Sequence, residues 1–129
     1  MRESRKAGVL LVEDEADIRE LIEEAFEERR IDVFGVDSDA GAYAALEAEA
    51  TRYGVLVADI NLGPGTTGFD VARRARTLNP DLKVIYITGH AAHLDRFGVD
   101  GAVMFPKPFN PGELADRVRQ LLDEGSPTA

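Results

Sequence analysis

Short aliphatic runs alternate along this chain with longer stretches in which apolar residues recur at helical spacing. Gly8 to Val12, "GVLLV", reads as a buried strand that stops abruptly at three acids, Glu13, Asp14 and Glu15. From Ala16 to Arg29 the residues Ile18, Leu21, Ile22, Ala25 and Phe26 mark one face of an amphipathic helix. Ile31 to Val36 is a second strand, and Ser38 or Asp39 is placed to cap an Ala-rich helix reaching about Ala50. Gly54 to Ala58, "GVLVA", has the continuous apolar character of a strand covered on both faces. The loop "NLGPGTTG" leads to a helix from about Phe69 to Leu78, and Leu82 to Ile87 forms a fourth strand. "HAAHLDRF" predicts a short fourth helix, and Ala102 to Phe105 a fifth strand. The last helix opens on Asn110 as N-cap, Pro111 in the first helical position and Glu113 in the capping-box position. Leu114, Val118, Leu121 and Leu122 give it an apolar face, and "GSPTA" is a short tail.

Five strands alternating with five helices imply an α/β fold with a parallel sheet covered on both sides. Right-handed crossovers leave few arrangements, of which the common five-stranded one is the doubly wound order 2-1-3-4-5. The expectation is therefore a three-layer sandwich of flavodoxin-like type. No internal repeat, low-complexity linker or second domain interrupts the pattern, so residues 1–129 are read as one domain. Its core runs from about 8 to 124, with flexible ends at 1–7 and 125–129.

Composition narrows the functional classes. The 129 residues include 15 basic and 24 acidic side chains, a formal net charge of −9. That balance argues against direct binding to nucleic acid or an anionic membrane surface. There is no cysteine, so thiolate catalysis and cysteine-bound metals are excluded, and with two histidines, His90 and His93, a histidine-rich zinc site is not expected. The apolar run after the basic head "MRESRKAG" is short and ends in acids, unlike a signal peptide. Nothing approaches the roughly 18 apolar residues of a membrane span, and a reducing, cytoplasmic setting is the expectation.

Ligands on such a sheet bind at the carboxyl ends of the strands, beside the point where strand order reverses. Those ends carry Glu13 and Asp14 after strand one, Asp59 after strand three, Thr88 after strand four and Lys107 after strand five. Each alone has a structural explanation. Acids suit the positive end of a helix dipole, Asp59 and Thr88 can cap a turn or helix, and Lys107 can be a solvated loop residue. Together they bring carboxylates, a hydroxyl and an ammonium to one edge. An all-oxygen cluster suits a hard ion such as Mg²⁺, which takes one or two carboxylates and keeps open positions for phosphoryl oxygens. Metal and lysine would offset the charge of phosphoryl transfer, with Asp59 a candidate nucleophile.

In this order on this frame, Glu13-Asp14, Asp59 at the end of "VLVAD", Thr88-Gly89 and Lys107-Pro108-Phe109 resemble the receiver domain of two-component response regulators, over about Gly8 to Glu124. The resemblance implies Asp59 as phospho-acceptor and Mg²⁺ (or Mn²⁺) held directly by Asp14 and Asp59, through water by Glu13, and by the backbone carbonyl of Asn61. It implies that Thr88 and Lys107 bind the phosphoryl group, that Gly89 leaves the approach to Asp59 open, and that the Lys107–Pro108 bond is cis. Such a protein is not an enzyme towards other molecules: it catalyses only its own phosphorylation and dephosphorylation. The implied donor is a sensor histidine kinase or histidine phosphotransfer protein. The implied output is a protein target or a homodimer, engaged through the fourth helix, fifth strand and last helix. Three features depart from the family: one extra residue between Asp59 and Gly68, a shortened stretch from Thr88 to Lys107, and Met104 where the switch aromatic usually lies. Phe105, one residue later, is expected on the opposite face.

The chain stops about five residues after the last helix, which suits a stand-alone receiver that docks to a partner or relays phosphate; a piece of a larger regulator would look the same. Two other readings compete. One is a receiver-like binding module that needs no phosphate. The other is a nucleotide- or flavin-binding enzyme on the same scaffold. Gly63 to Gly68 has P-loop glycine spacing, but Phe69 and Asp70 follow where Lys and Ser/Thr are required.

Overall fold

A computed structural model describes residues 8–60, 68–88, 99 and 101–125. The elements are β1 (Gly8–Val12), α1 (Ala16–Glu28), β2 (Val33–Val36), α2 (Asp39–Glu49), a 3₁₀ turn (Ala50–Arg52), β3 (Tyr53–Asp59), α3 (Gly68–Leu78), β4 (Lys83–Thr88), β5 (Val103–Pro106) and α4 (Pro111–Gly125). The predicted fourth helix, most of the loop after Asp59 and both chain ends lie outside the described residues; α4 here is the last helix. No helix among the described residues is long and apolar enough to cross a membrane.

All strand pairs are parallel and the sheet order is β2-β1-β3-β4-β5, the doubly wound arrangement expected from the alternation of patterns. Alternation along each strand divides the side chains between two cores. On one face Val9, Leu11, Val55, Val57, Ile85 and Ile87 are covered by α1 and α4, through Ile22, Phe26, Leu114 and Val118. On the other, Leu10, Leu56, Val84 and Tyr86 are covered by α2 and α3, through Ala42, Leu46, Val71 and Ala75. Central strands buried on both faces explain why β1 and β3 read as unbroken apolar runs. Truncating one of these leucines to alanine costs about 2–5 kcal/mol.

Caps fix where the helices begin. Ser38, rather than Asp39, accepts the N–H of Gly41 at 3.1 Å, and Asn110 Oδ1 accepts those of Gly112 and Glu113 at 2.7 and 3.2 Å. At the other end of α1, Arg30 adopts the left-handed region (φ 59°) and the helix stops. Arg119 of α4 donates to the carbonyls of Arg29 and Arg30 at 2.7 and 3.3 Å, satisfying groups the helix end leaves open. Ile31 bonds back to Phe26 instead of joining the sheet, so β2 starts at Val33, two residues later than the apolar run suggests. On α1, Leu21 does not face the core as its spacing predicts; it is exposed at 55 %.

Candidate functional site

The parallel register brings the carboxyl ends level. Val12 pairs with Ala58, Asp59 with Ile87, and Thr88 with Pro106. Backbone bonds carry this alignment past the strands: Glu13 N–H to Val36 O (3.1 Å), Ile60 N–H to Ile87 O (3.1 Å) and Lys107 N–H to Thr88 O (2.8 Å). Asp59 and Thr88 are thus the last residues of their strands, not loop residues following them. Glu13, Asp59 and Lys107 each continue the alternation of the face covered by α1 and α4, so their side chains are delivered to one side of the sheet edge.

There Lys107 Nζ donates to Asp59 Oδ2 at 2.8 Å, the lysine about one-third exposed and the aspartate nearly buried. Carboxylate oxygens of Glu13, Asp14 and Asp59 lie within 4.8 Å of one another, Asp14 being the solvent-facing member. Glu13 is fully buried. Its Oε2 accepts the N–H of Glu15 at 3.1 Å, while Oε1 has no hydrogen-bond partner among the described residues. Arg19 donates to the Glu13 carbonyl at 2.9 Å and leaves the carboxylate alone.

The electrostatics follow from this enclosure. Burial first, then the negative charge of Asp59, lifts the Glu13 carboxyl from 4.5 to about 7, against the opposing Glu15 N–H and Lys107. For Lys107, burial works against the charge, but the hydrogen bond and charge of Asp59, backed by Glu13 and Glu15, outweigh it and raise the ammonium pKa. A buried carboxylate oxygen without a donor, beside two more carboxylates, is a position that takes a proton or a cation. Three acids at a strand end are tolerable where a cation can sit among them.

Thr88 is buried at the end of the neighbouring strand, on the opposite alternation from Asp59. The Lys107–Pro108 peptide bond is cis. Met104 is exposed at 40 %, whereas Phe105 packs into the core beneath α1 and α4 and meets Phe109 edge-on at 6.1 Å. Asn61 and Gly89 lie outside the described residues. One contributor escaped the sequence reading. A Cβ on Gly68 would stand 2.5 Å from the carbonyl oxygen of Asp59, so only glycine lets α3 begin hard against the backbone of this aspartate. The loop's glycine was visible, but its contact is not a local property. Beside Lys107, a cavity of about 510 Å³ opens between Ile18, Leu21 and Ile22 of α1 and Pro108, Phe109 and Pro111.

Residues 9–119 match the family model of the response regulator receiver domain. This chain belongs to the response regulator receiver family. The receiver protein CpdR of Brucella abortus is 34% identical over 117 residues, covering 88% of this chain and 95% of that protein. A crystal structure of a receiver protein from Sinorhizobium medicae superposes with a TM-score of 0.85 at 32% identity, covering 93% of this chain and 97% of the other. The response regulator TrrA of Thermotoga maritima, solved in complex with Mg²⁺-BeF, gives a TM-score of 0.76 at 28% identity, covering 89% and 98%. The acidic pocket of this receiver domain stands at the carboxyl edge of β1 and β3.

Proposed function

We propose that this receiver domain is a phospho-acceptor switch in which Asp59 takes a phosphoryl group from a histidine-phosphorylated partner. The observation that carries the reading is the nearly buried Asp59 carboxylate, held by Lys107 at 2.8 Å inside a triad of carboxylates with one buried oxygen that has no partner among the described residues. Asp59 attacks the phosphorus of the donor; the P–N bond to the partner's imidazole breaks, its electron pair returns to the ring, and an acyl phosphate forms on Asp59. Lys107 balances the charge that gathers on the phosphoryl oxygens, and Thr88 hydrogen-bonds one of them. Glu13, Asp14 and Asp59, with the Asn61 carbonyl, would hold Mg²⁺ or Mn²⁺, which supplies electrostatic stabilisation of the transferring phosphoryl group. The Mg²⁺-BeF complex of the Thermotoga relative supports this assignment.

The donor is a sensor histidine kinase or a histidine phosphotransfer protein, seated at the apolar cavity lined in part by Lys107, the residue that holds Asp59. The phosphorylated form engages a protein target, or a second copy, through the surface of the fifth strand and the helices beside it. The protein acts in the cytoplasm on no substrate but itself.

Intact-mass measurement after incubation with a small acyl-phosphate donor and Mg²⁺ tests the reading. The wild type gains one phosphoryl group and Asp59→Asn gains none. No gain in the folded wild type, or an equal gain in Asp59→Asn, replaces the reading with that of a phosphate-independent binding module.

A further inference from the structure

Tyr86 is the largest fully buried side chain of the described residues, and nothing in phosphoryl transfer requires it. A phenol in a core must place its hydroxyl; phenylalanine would fill the same volume without that demand. Here the hydroxyl accepts the N–H of Val99 at 3.0 Å. The Val99 carbonyl in turn accepts the N–H of Ala102 at 3.3 Å, immediately before β5 begins at Val103. At its far end β5 delivers Lys107, whose N–H is held by the carbonyl of Thr88. The stretch carrying the lysine is therefore fastened to β4 beyond both ends of its ladder: by the Thr88 carbonyl where it leaves, and by the Tyr86 phenol where it enters.

The other side of the ring leads to the acceptor. Phe69, the second residue of α3, meets Tyr86 edge-on at 5.0 Å. It follows Gly68, the residue lying against the Asp59 carbonyl. Tyr86 also stands two residues before Thr88 on the same alternation of β4, so the two side chains lie on one face of the sheet. Its cross-strand partner Met104 offers no polar group and is part-exposed, so it cannot duplicate the tether.

We propose that Tyr86 is a positioning residue of the switch: its phenol transmits the phosphorylation of Asp59 to the entrance of β5 through the Val99 N–H. It touches no reacting atom, and the inference rests on the phospho-acceptor reading above.

Tyr86→Phe isolates the hydroxyl, because the ring and its contact with Phe69 remain. Two measurements are made on the full chain, wild type and variant: phosphoryl uptake from an acyl-phosphate donor by intact mass, and amide hydrogen exchange over residues 99–105, with and without Mg²⁺ and beryllofluoride. Expected is uptake within about twofold of wild type, since no reacting group is altered. Exchange at Val99 rises roughly five- to tenfold from the loss of one hydrogen bond. The decisive readout is the difference made by beryllofluoride: protection over 99–105 changes in the wild type and is at least halved in Tyr86→Phe. A purely structural tether would shift the baseline exchange and leave that difference intact, which overturns the proposal. So does a wild type that takes up phosphate with no change over 99–105. A folded wild type that takes up no phosphate removes the phospho-acceptor reading and this inference with it. Phe69→Leu is the second variant: expected is a reduced beryllofluoride response at 99–105 with the Tyr86–Val99 bond still in place, and an unaltered response counts against the ring as the link.

Discussion

The two faces of the sheet are built from the same kind of apolar material and end in different chemistry. Under α1 and α4, the alternation of β1, β3 and β5 runs out into charge: Leu11 leads to Glu13, Val57 to Asp59, Phe105 to Lys107. Under α2 and α3 the alternation of β4 and β5 closes on neutral groups, Tyr86 leading to Thr88 and Met104 facing outward, and the one acid that follows on this side, Asp14 after Val12 of β1, is exposed to solvent. One sheet edge thus has a charged side, where the proposed cation and phosphoryl group would be stabilised, and a largely neutral, hydrogen-bonding side. The period of two along a strand imposes the division, since a residue moved by one position changes face.

If the charged side does the chemistry, the largest effect comes from removing its cation. Lys107→Met keeps much of the side chain's apolar volume but deletes the 2.8 Å partner of Asp59. Loss of one preorganised group that stabilises developing charge typically costs about 10²–10³-fold in rate. Phosphoryl uptake from a small donor, followed by intact mass, is expected to slow by about 10²-fold. A rate within about threefold of wild type would reduce Lys107 to a structural ion pair and dissolve the contrast between the faces.

A smaller effect lies in the proton that Glu13 holds when no cation is present. Its folded pKa of about 7 stands above the ordinary 4.5, so the native state binds more protons than the unfolded chain across that window. This contribution to stability is complete below about pH 4.5 and is lost as pH rises through about 7. In chelator, the melting temperature of the wild type is expected to fall from about pH 5 to about pH 8 by a few degrees more than that of Glu13→Gln. If Mg²⁺ takes the proton's place, it is expected to raise the melting temperature more at about pH 8 than at about pH 5. A wild type and a Glu13→Gln variant with parallel pH profiles, each indifferent to Mg²⁺, would show that the buried carboxylate is satisfied by neither proton nor ion.

How much of this could be read from the chain depends on whether the cause is local. The strand order and the meeting of Glu13, Asp14, Asp59 and Lys107 were legible, because alternating periodicities admit few topologies and strand ends in a parallel sheet fall together. Boundaries were less so. Ile31 is apolar and β-branched, but its N–H turns back to Phe26, a choice made by how α1 ends. Leu21 satisfies helical spacing yet is half-exposed and lines the cavity beside Lys107 instead of the core. Gly68 and Tyr86 owe their roles to contacts with Asp59 and Val99, partners that no pattern along the chain identifies.

The smallest expected effect bounds the neutral side from its outer edge. Met104 faces away from the charged side and is exposed at 40 %, while Phe105 next to it is packed beneath α1 and α4. Met104→Leu exchanges one flexible apolar side chain for another at a half-open position, so unfolding free energy should change by no more than about 0.5 kcal/mol. Phosphoryl uptake should stay at the wild-type rate, because Met104 neither carries charge nor holds a group that does. Phe105→Ala, one residue along, should cost about 2 kcal/mol by denaturant titration, below the roughly 3–5 kcal/mol of a fully buried aromatic, since its ring is only partly enclosed. Equal costs at the two positions would mean that β5 does not hold the alternation that sends Lys107 to Asp59. With that alternation gone, the division of the sheet edge into a charged and a neutral side would have no structural origin.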